Sequence, residues 1–212
     1  MIQKNLLFEE MKKAAINGER DLVKKYIQEG LDQNYTALEI IESLVPAMDV
    51  VGNKFASGEF YLPQMMIAAR AMSEGIEMLK PLLLPGQTIT KAKAIFGTVK
   101  GDYHDIGKNI VKIILESGGY EVIDLGVDVA PERFVEASKK EKPRFVLMSA
   151  LLTLTMPMMD KTIKALGEAG IRDAVKIGVG GAPVTQKFAV HIGADFYADD
   201  APGALKKCNG LL

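Results

Sequence analysis

The chain is short of the residues that build disulfides, metal clusters and membrane spans. Its 212 residues include one cysteine, two histidines and no tryptophan. A lone cysteine, Cys208, excludes an intrachain disulfide framework. Within "ALKKCNG" it reads as a helix-end residue rather than a nucleophile. The amino end, "MIQKNLLFEEMKKAA", alternates charge with apolar residues where a signal peptide needs an unbroken apolar stretch. No segment approaches the ~20 continuous apolar residues of a membrane span. Charge of one sign is also missing. Lys and Arg number 26 against 27 Asp and Glu, a formal charge of -1, with no long run that would steer the chain to nucleic acid or an anionic membrane surface. A cytoplasmic protein with neither of those partners is expected.

What is present suits a globular chain with a real core. Hydrophobic residues make up 48% and charged residues 25%, and the length fits one large domain or two small ones. Up to about Pro85 the apolar residues recur at helical spacing. Leu38, Ile41, Val45, Met48, Val51 and Phe55 advance by three or four and share a face. Thr36 with Glu39 forms a capping box at the start of that helix. Gly18 and Gly30 punctuate two earlier helical stretches, and a fourth runs from about Pro63 to about Lys80, where Pro81 stops it. The reading is a four-helix bundle over residues 1–85, with a kink or break at Pro46.

From Lys93 short apolar runs alternate with amphipathic stretches. "KAIFGTV", "EVIDLG", "RFVLMSA", "VKIGVGG" and "DFYAD" read as strands, each followed by a helix. That grammar predicts an α/β domain over residues 91–212, a five-stranded parallel sheet in flavodoxin-like order, joined to the bundle through "LLLPGQTIT". Ligands of such sheets sit beyond the carboxyl ends of the strands, where the order reverses. Asp102 and His104 follow the first strand, Ser149 to Thr155 the third, and Gly180 with Gly181 the fourth, so all three loops are expected on one edge.

The unusual stretch is "VKGDYHDIGKN", Val99 to Asn109. A loop histidine suits a metal ligand, a general base or a plain surface residue. Asp102, two residues before His104, can hold one ring nitrogen, fix the tautomer and raise the basicity of the other. A zinc site is disfavoured, because four ligands are usual and only His191 and Cys208 remain as nitrogen or sulfur donors. A metal here would bring most of its own ligands, as a tetrapyrrole-like macrocycle does. Gly107, Gly180 and Gly181 then read as places where backbone lies against a large ligand.

"GDYHDIGKNIV", followed by "SALLT" and "GVGGAPVT", resembles the Asp-x-His-x-x-Gly, Ser-x-Leu and Gly-Gly pattern of cobalamin-binding domains. "VVGNKFASGEFYLPQMMIAARAM" resembles the helical cap module that precedes this domain in methionine synthase and in corrinoid proteins of methyltransferase systems. The resemblance implies cobalamin bound base-off, with His104 as lower axial ligand to cobalt, Asp102 as its hydrogen-bonded carboxylate, and Thr155 at the position of a third relay member that is often serine. It implies cofactor contacts from Gly101, Asp105, Ile106 and Gly107 in the loop motif, from Ser149, Leu151, Gly180 and Gly181 around the displaced nucleotide tail, and from Thr153. It further implies that Phe55, Leu62 and Met65 of a mobile cap cover the upper face, although their periodicity alone reads as bundle core. The implied function is a non-catalytic methyl-carrying subunit. It would take a methyl group from a substrate-specific corrinoid methyltransferase acting on a methylated amine, methanol or a methyl ether. It would pass that group to an acceptor methyltransferase using coenzyme M or tetrahydrofolate, with a reductive activation protein as a further partner. The alternatives are a cobalamin-dependent mutase subunit, which normally lacks the cap, and a cobalamin-sensing regulatory protein, which usually adds an output domain.

Overall fold

The computed structural model describes residues 2–83 and 90–212. The linker read around Pro85 and Gly86 falls on residues 84–89, outside the described residues. One compact unit takes in the residues up to Thr90 with Glu116–Gly119, the other Lys91–Leu115 and Tyr120–Leu212, and each is built on its own logic.

The first unit is helical: α1 (Ile2–Asn17), α2 (Arg20–Asp32), α3 (Ala37–Leu44), α4 (Pro46–Ala56) and α5 (Leu62–Leu79), ending in a 3-10 turn over Lys80–Leu82. The capping box predicted for α3 is formed. The Glu39 amide donates to Thr36 Oγ1 at 3.2 Å while the Thr36 amide donates to the Glu39 carboxylate at 2.9 Å, a pairing worth about 1 kcal/mol. The third predicted helix is two helices. Pro46 lacks the N–H that would bond back to Glu42, so α3 ends at Leu44 and Pro46 restarts the chain as the first residue of α4. The break divides the predicted stripe: Ile41, Met48 and Val51 are buried, whereas Leu38, Val45 and Phe55 are only half-buried.

Gly18 does end α1, but Gly30 does not end α2, which continues to Asp32. A Cβ at Gly30 would stand 3.1 Å from Ile40 Cδ1. Its role is close approach between α2 and α3, not termination. In α5 the buried residues Met65, Ala68, Met72, Ile76 and Leu79 follow helical spacing, so Met65 and Met72 belong to one core stripe.

The second unit holds β1 (Lys93–Val99), β2 (Glu121–Val129), β3 (Phe145–Ser149), β4 (Lys176–Gly180) and β5 (Phe196–Ala198). All neighbours are parallel, in the order β2-β1-β3-β4-β5, the flavodoxin-like order the sequence predicts. Each strand is followed by a helix: α6 (Ile106–Ser117), α7 (Pro131–Glu141), α8 (Pro157–Glu168), α9 (Gln186–His191) and α10 (Ala201–Asn209). β1 is buried from Ala94 to Val99, as a central strand covered on both faces requires. Ile95, Val146 and Ile177 form a core cluster with Phe134 of α7 and Met159 and Leu166 of α8.

Register sets up the site. Thr98 pairs with Ser149, Ser149 with Gly180, and Gly180 with Ala198, one row across the carboxyl edge. Between β1 and β2 the register shifts twice, from Phe96↔Asp124 to Gly97↔Gly126 and then to Val99↔Val129. β2 therefore carries extra residues beside the loop that follows β1.

Candidate cofactor site at the carboxyl edge of the sheet

The loop after β1 turns at once. The Asp102 amide donates to the Val99 carbonyl at 3.1 Å, and Gly101 adopts φ +82, a left-handed conformation that glycine takes without steric cost. This turn drives the Asp102 side chain inward, to 0% exposure. There its two oxygens serve different masters. Oδ1 lies 2.7 Å from His104 Nδ1 and accepts from the His104 amide at 3.1 Å. Oδ2 accepts from the Leu151 amide at 2.7 Å, the Leu152 amide at 3.2 Å and the Thr155 hydroxyl at 2.8 Å. Thr98, itself fully buried, donates its hydroxyl to the His104 carbonyl at 2.9 Å and closes the loop from below.

These contacts decide protonation. Burial alone would raise the Asp102 carboxyl, but the hydrogen bonds from His104, Leu151 and Thr155 outweigh it and hold the group well below the usual carboxylate range. An ionised carboxylate only accepts, so the His104 Nδ1 bears the proton. The lone pair is left on Nε2. The imidazole is half exposed, at 51%, while its carboxylate partner is sealed, an arrangement that presents one basic nitrogen outward with its tautomer fixed.

The remaining predicted residues sort into two groups. Asp105 precedes α6, where its carbonyl accepts from the Asn109 amide at 2.7 Å, and Ile106 and Gly107 open the helix, exposed. A Cβ at Gly107 would meet nothing within 4 Å. Leu151 and Thr153 are exposed on the loop after β3, and Thr155 is buried beneath them. Ser149 closes β3, half-buried in the edge row.

Gly180 and Gly181 have a reason of their own beside the ligand approach expected of them. A Cβ at Gly180 would lie 2.8 Å from the Ala198 carbonyl oxygen, and one at Gly181, with φ +125, would lie 1.9 Å from that of Ala150. The chain's own backbone demands both glycines. In the helical unit Leu62 is exposed and Phe55 half-buried on α4, but Met65 is only 1% exposed. Its side chain lies in the buried stripe of α5.

Asp128, which the sequence did not single out, is the other anchor of the loop. It sits at φ +54 near the end of β2, accepts from the Gly101 amide at 2.7 Å, and lies 3.0 Å from Lys100 Nζ. The available signal was an aspartate just before the Ala130-Pro131 helix start, a residue type that tolerates the left-handed region.

Comparison with known proteins bears on what this edge holds. A B12 binding domain matches residues 92–206, and a second B12 binding domain matches residues 7–80. This chain belongs to the B12-binding corrinoid proteins. It is 40% identical over 212 residues to dimethylamine corrinoid protein 1 of Methanosarcina acetivorans, covering all of both chains. In structure it is similar to a cobalamin-binding protein from Desulfitobacterium hafniense, with 30% identity, a TM-score of 0.84, and 97% and 98% of the two chains covered. It is also similar to a chain of the methanol:cobalamin methyltransferase complex of Methanosarcina barkeri, with 34% identity, a TM-score of 0.86, and 98% of this chain and 80% of that chain covered.

The B12-binding edge fits the cofactor on chemical grounds. Among the described residues no three of His, Cys, Asp and Glu are grouped to hold a metal ion. A single outward Nε2 suits a metal that arrives within its own macrocycle. Exposed Tyr103, Ile106, Leu151 and Leu154 on the flanking segments offer apolar surface to such a ligand, and the space beside Gly107 leaves room for it.

Proposed function

We propose that this corrinoid protein carries a methyl group on cobalamin cobalt between two methyltransferases, with His104 as lower axial ligand. The observation that carries the reading is the 2.7 Å contact from Asp102 to His104 Nδ1, with no hydrogen bond to Nε2 among the described residues. When bound, cobalamin supplies a cobalt centre that accepts a methyl group from one partner and yields it to another.

The chain's residues govern the nitrogen below that centre. Asp102 would keep the proton on Nδ1 and leave Nε2 bare to hold the metal centre. The Thr155 hydroxyl has two acceptors at 2.8 Å, Asp102 Oδ2 and the Leu152 carbonyl, and one proton to give. It can stay on Asp102 while the carboxylate is charged and turn to Leu152 if that charge is lost. Gly101, Asp105, Ile106 and Gly107 in the loop, and Ser149, Leu151, Thr153, Gly180 and Gly181 opposite, remain the proposed cofactor contacts. Phe55, Leu62 and Met65 are the proposed shelter of the upper axial face. Residues 1–85 are assigned as cap and 91–212 as cobalamin domain.

The methyl donor is a methylated amine, methanol or a methyl ether, brought by a substrate-specific corrinoid methyltransferase. The names of the related dimethylamine corrinoid protein and methanol:cobalamin complex support this class. The acceptor methyltransferase serves coenzyme M or tetrahydrofolate, a reductive activation protein restores the reduced cofactor, and the system is cytoplasmic. The test is to bind hydroxocobalamin, reduce it to cobalt(II), and record absorption and electron paramagnetic resonance spectra beside His104→Ala. Axial nitrogen splitting in the parent and its loss in the variant are expected; identical spectra would remove the ligand assignment. Methylation by candidate methyltransferases then separates a carrier from a mutase, which needs the adenosyl form.

A further inference from the structure

We propose that Asp128 is a positioning residue for His104, holding the loop of Lys100 to His104 so that Nε2 faces the cofactor. The proposal rests on the reading of His104 as axial ligand. Its basis is how completely one residue grips the loop ahead of the histidine. Asp128 Oδ1 accepts from the Gly101 amide at 2.7 Å. Oδ2 accepts from Lys100 Nζ at 3.0 Å and from the Tyr103 hydroxyl at 3.2 Å. The Asp128 amide donates to the Asp102 carbonyl at 2.9 Å. All four residues before His104 are thus tied to Asp128, by its side chain or its backbone.

Asp102 in turn holds the imidazole, so its backbone position sets where the ring points. Two features show that the placement is built. β2 shifts register twice against β1, the second time between Gly126 and Val129 where Asp128 lies, and Asp128 itself takes φ +54, a conformation costly for most L residues. The bulged strand re-aims this one side chain toward the loop. A carboxylate taking a backbone amide and an ammonium in charge-assisted hydrogen bonds is a firm clamp.

Two substitutions dissect the clamp. Asp128→Gly keeps the left-handed backbone and its donor amide but deletes the carboxylate. Asp128→Asn keeps an oxygen for the Gly101 amide and also tolerates φ +54, while losing the charge. Full-length parent, both variants and His104→Ala are loaded with hydroxocobalamin and reduced to cobalt(II). The ratio of nitrogen-ligated to unligated cobalt is read from paramagnetic resonance, with amide exchange of residues 100–104 measured in each apoprotein.

For Asp128→Gly the ratio falls about tenfold, the size of one charge-assisted hydrogen bond, and exchange at 100–104 accelerates. For Asp128→Asn the ratio stays within about threefold of the parent, the size of a neutral hydrogen bond. A parent-like ratio in Asp128→Gly, or Asp128→Asn no better than Asp128→Gly, overturns the proposal. If Asp128→Gly fails to fold, Asp128→Asn falling tenfold does the same. A parent lacking nitrogen splitting that His104→Ala abolishes sinks the ligand reading itself, whereas normal splitting with an indifferent Asp128→Gly sinks this proposal alone.

Discussion

Replacing Asp102 with asparagine exchanges one acceptor oxygen for a donor amide in a sealed site, and the surrounding geometry says which end goes where. Oδ2 faces the Leu151 and Leu152 amides and the Thr155 hydroxyl. The two amides are fixed donors, so the carboxamide oxygen of Asp102→Asn stays on that side. Its NH2 group then faces His104 Nδ1, where the carboxylate lay at 2.7 Å, and gives up the bond from the single His104 amide. Nδ1 must now accept, and the imidazole proton moves to Nε2, the nitrogen that ligation requires bare. Restoring the ligating tautomer sets two donors against each other and gives up one hydrogen bond, about 1.5–3 kcal/mol, or roughly ten- to hundredfold weaker axial ligation.

The assay is direct because the chain has only two histidines. Nitrogen-15 spectra of the apoprotein should show His104 protonated at Nδ1 in the parent and at Nε2 in Asp102→Asn, with His191→Gln used to assign the signals. The cobalt(II) form of the variant should lose most of its axial nitrogen splitting. An Nε2-protonated ring in the parent, or full ligation by Asp102→Asn, would refute the reasoning.

Thr155→Val should cost about 1 kcal/mol in urea unfolding and leave the His104 tautomer intact, since Asp102 keeps three backbone donors; a tautomer switch would contradict this. The depressed Asp102 carboxyl stabilises the fold above its unfolded value of about 3.9 and loses that contribution as pH falls. The Asp102 part of parent minus Asp102→Asn stability should therefore shrink below about 4; a gap that grows between about pH 4 and about pH 2 has the wrong sign. Cys208 is fully buried and its thiol is pushed up to about 12 by burial, so alkylation at pH 8 should need denaturant, and rapid labelling of the native chain would contradict that placement. Gly181→Ala should destabilise by about 3 kcal/mol or more in urea unfolding, because its Cβ would fall 1.9 Å from the Ala150 carbonyl oxygen; a neutral result would refute the backbone account.

The fold was legible wherever one local rule governed it. Alternation of strands and helices after Lys93 specified the parallel sheet, because strands buried on both faces must be apolar throughout. Thr36 with Glu39, and Pro46, marked helix boundaries through hydrogen bonds made or forbidden within four residues. Gly30 misled because its reason is not local: it yields space to Ile40 of α3, and a glycine admitting a neighbouring helix looks in sequence like one that ends its own. At Gly180 and Gly181 the chain's own reason was hidden in the same way. Their neighbours are Ala198 on β5 and Ala150 just past the end of β3, and no spacing rule within the Gly-Gly pair reveals a contact with the chain beside one with a ligand.

The same distinction explains the site. Asp102 and His104 are two residues apart, so their interaction could be read from spacing. Beside His104, the donors on Asp102 come from Leu151, Leu152 and Thr155 across the β1–β3 boundary, and two of them are backbone amides, which carry no residue identity to read. Asp128 was less visible still, since its partners lie about 25 residues earlier and its place depends on register shifts that no periodicity records. A motif names the atoms that do chemistry. The geometry that holds them is distributed over strand ends that become neighbours only when the sheet forms, so the substitutions that separate positioning from ligation must be made at Asp128 and Thr155 as well as at His104.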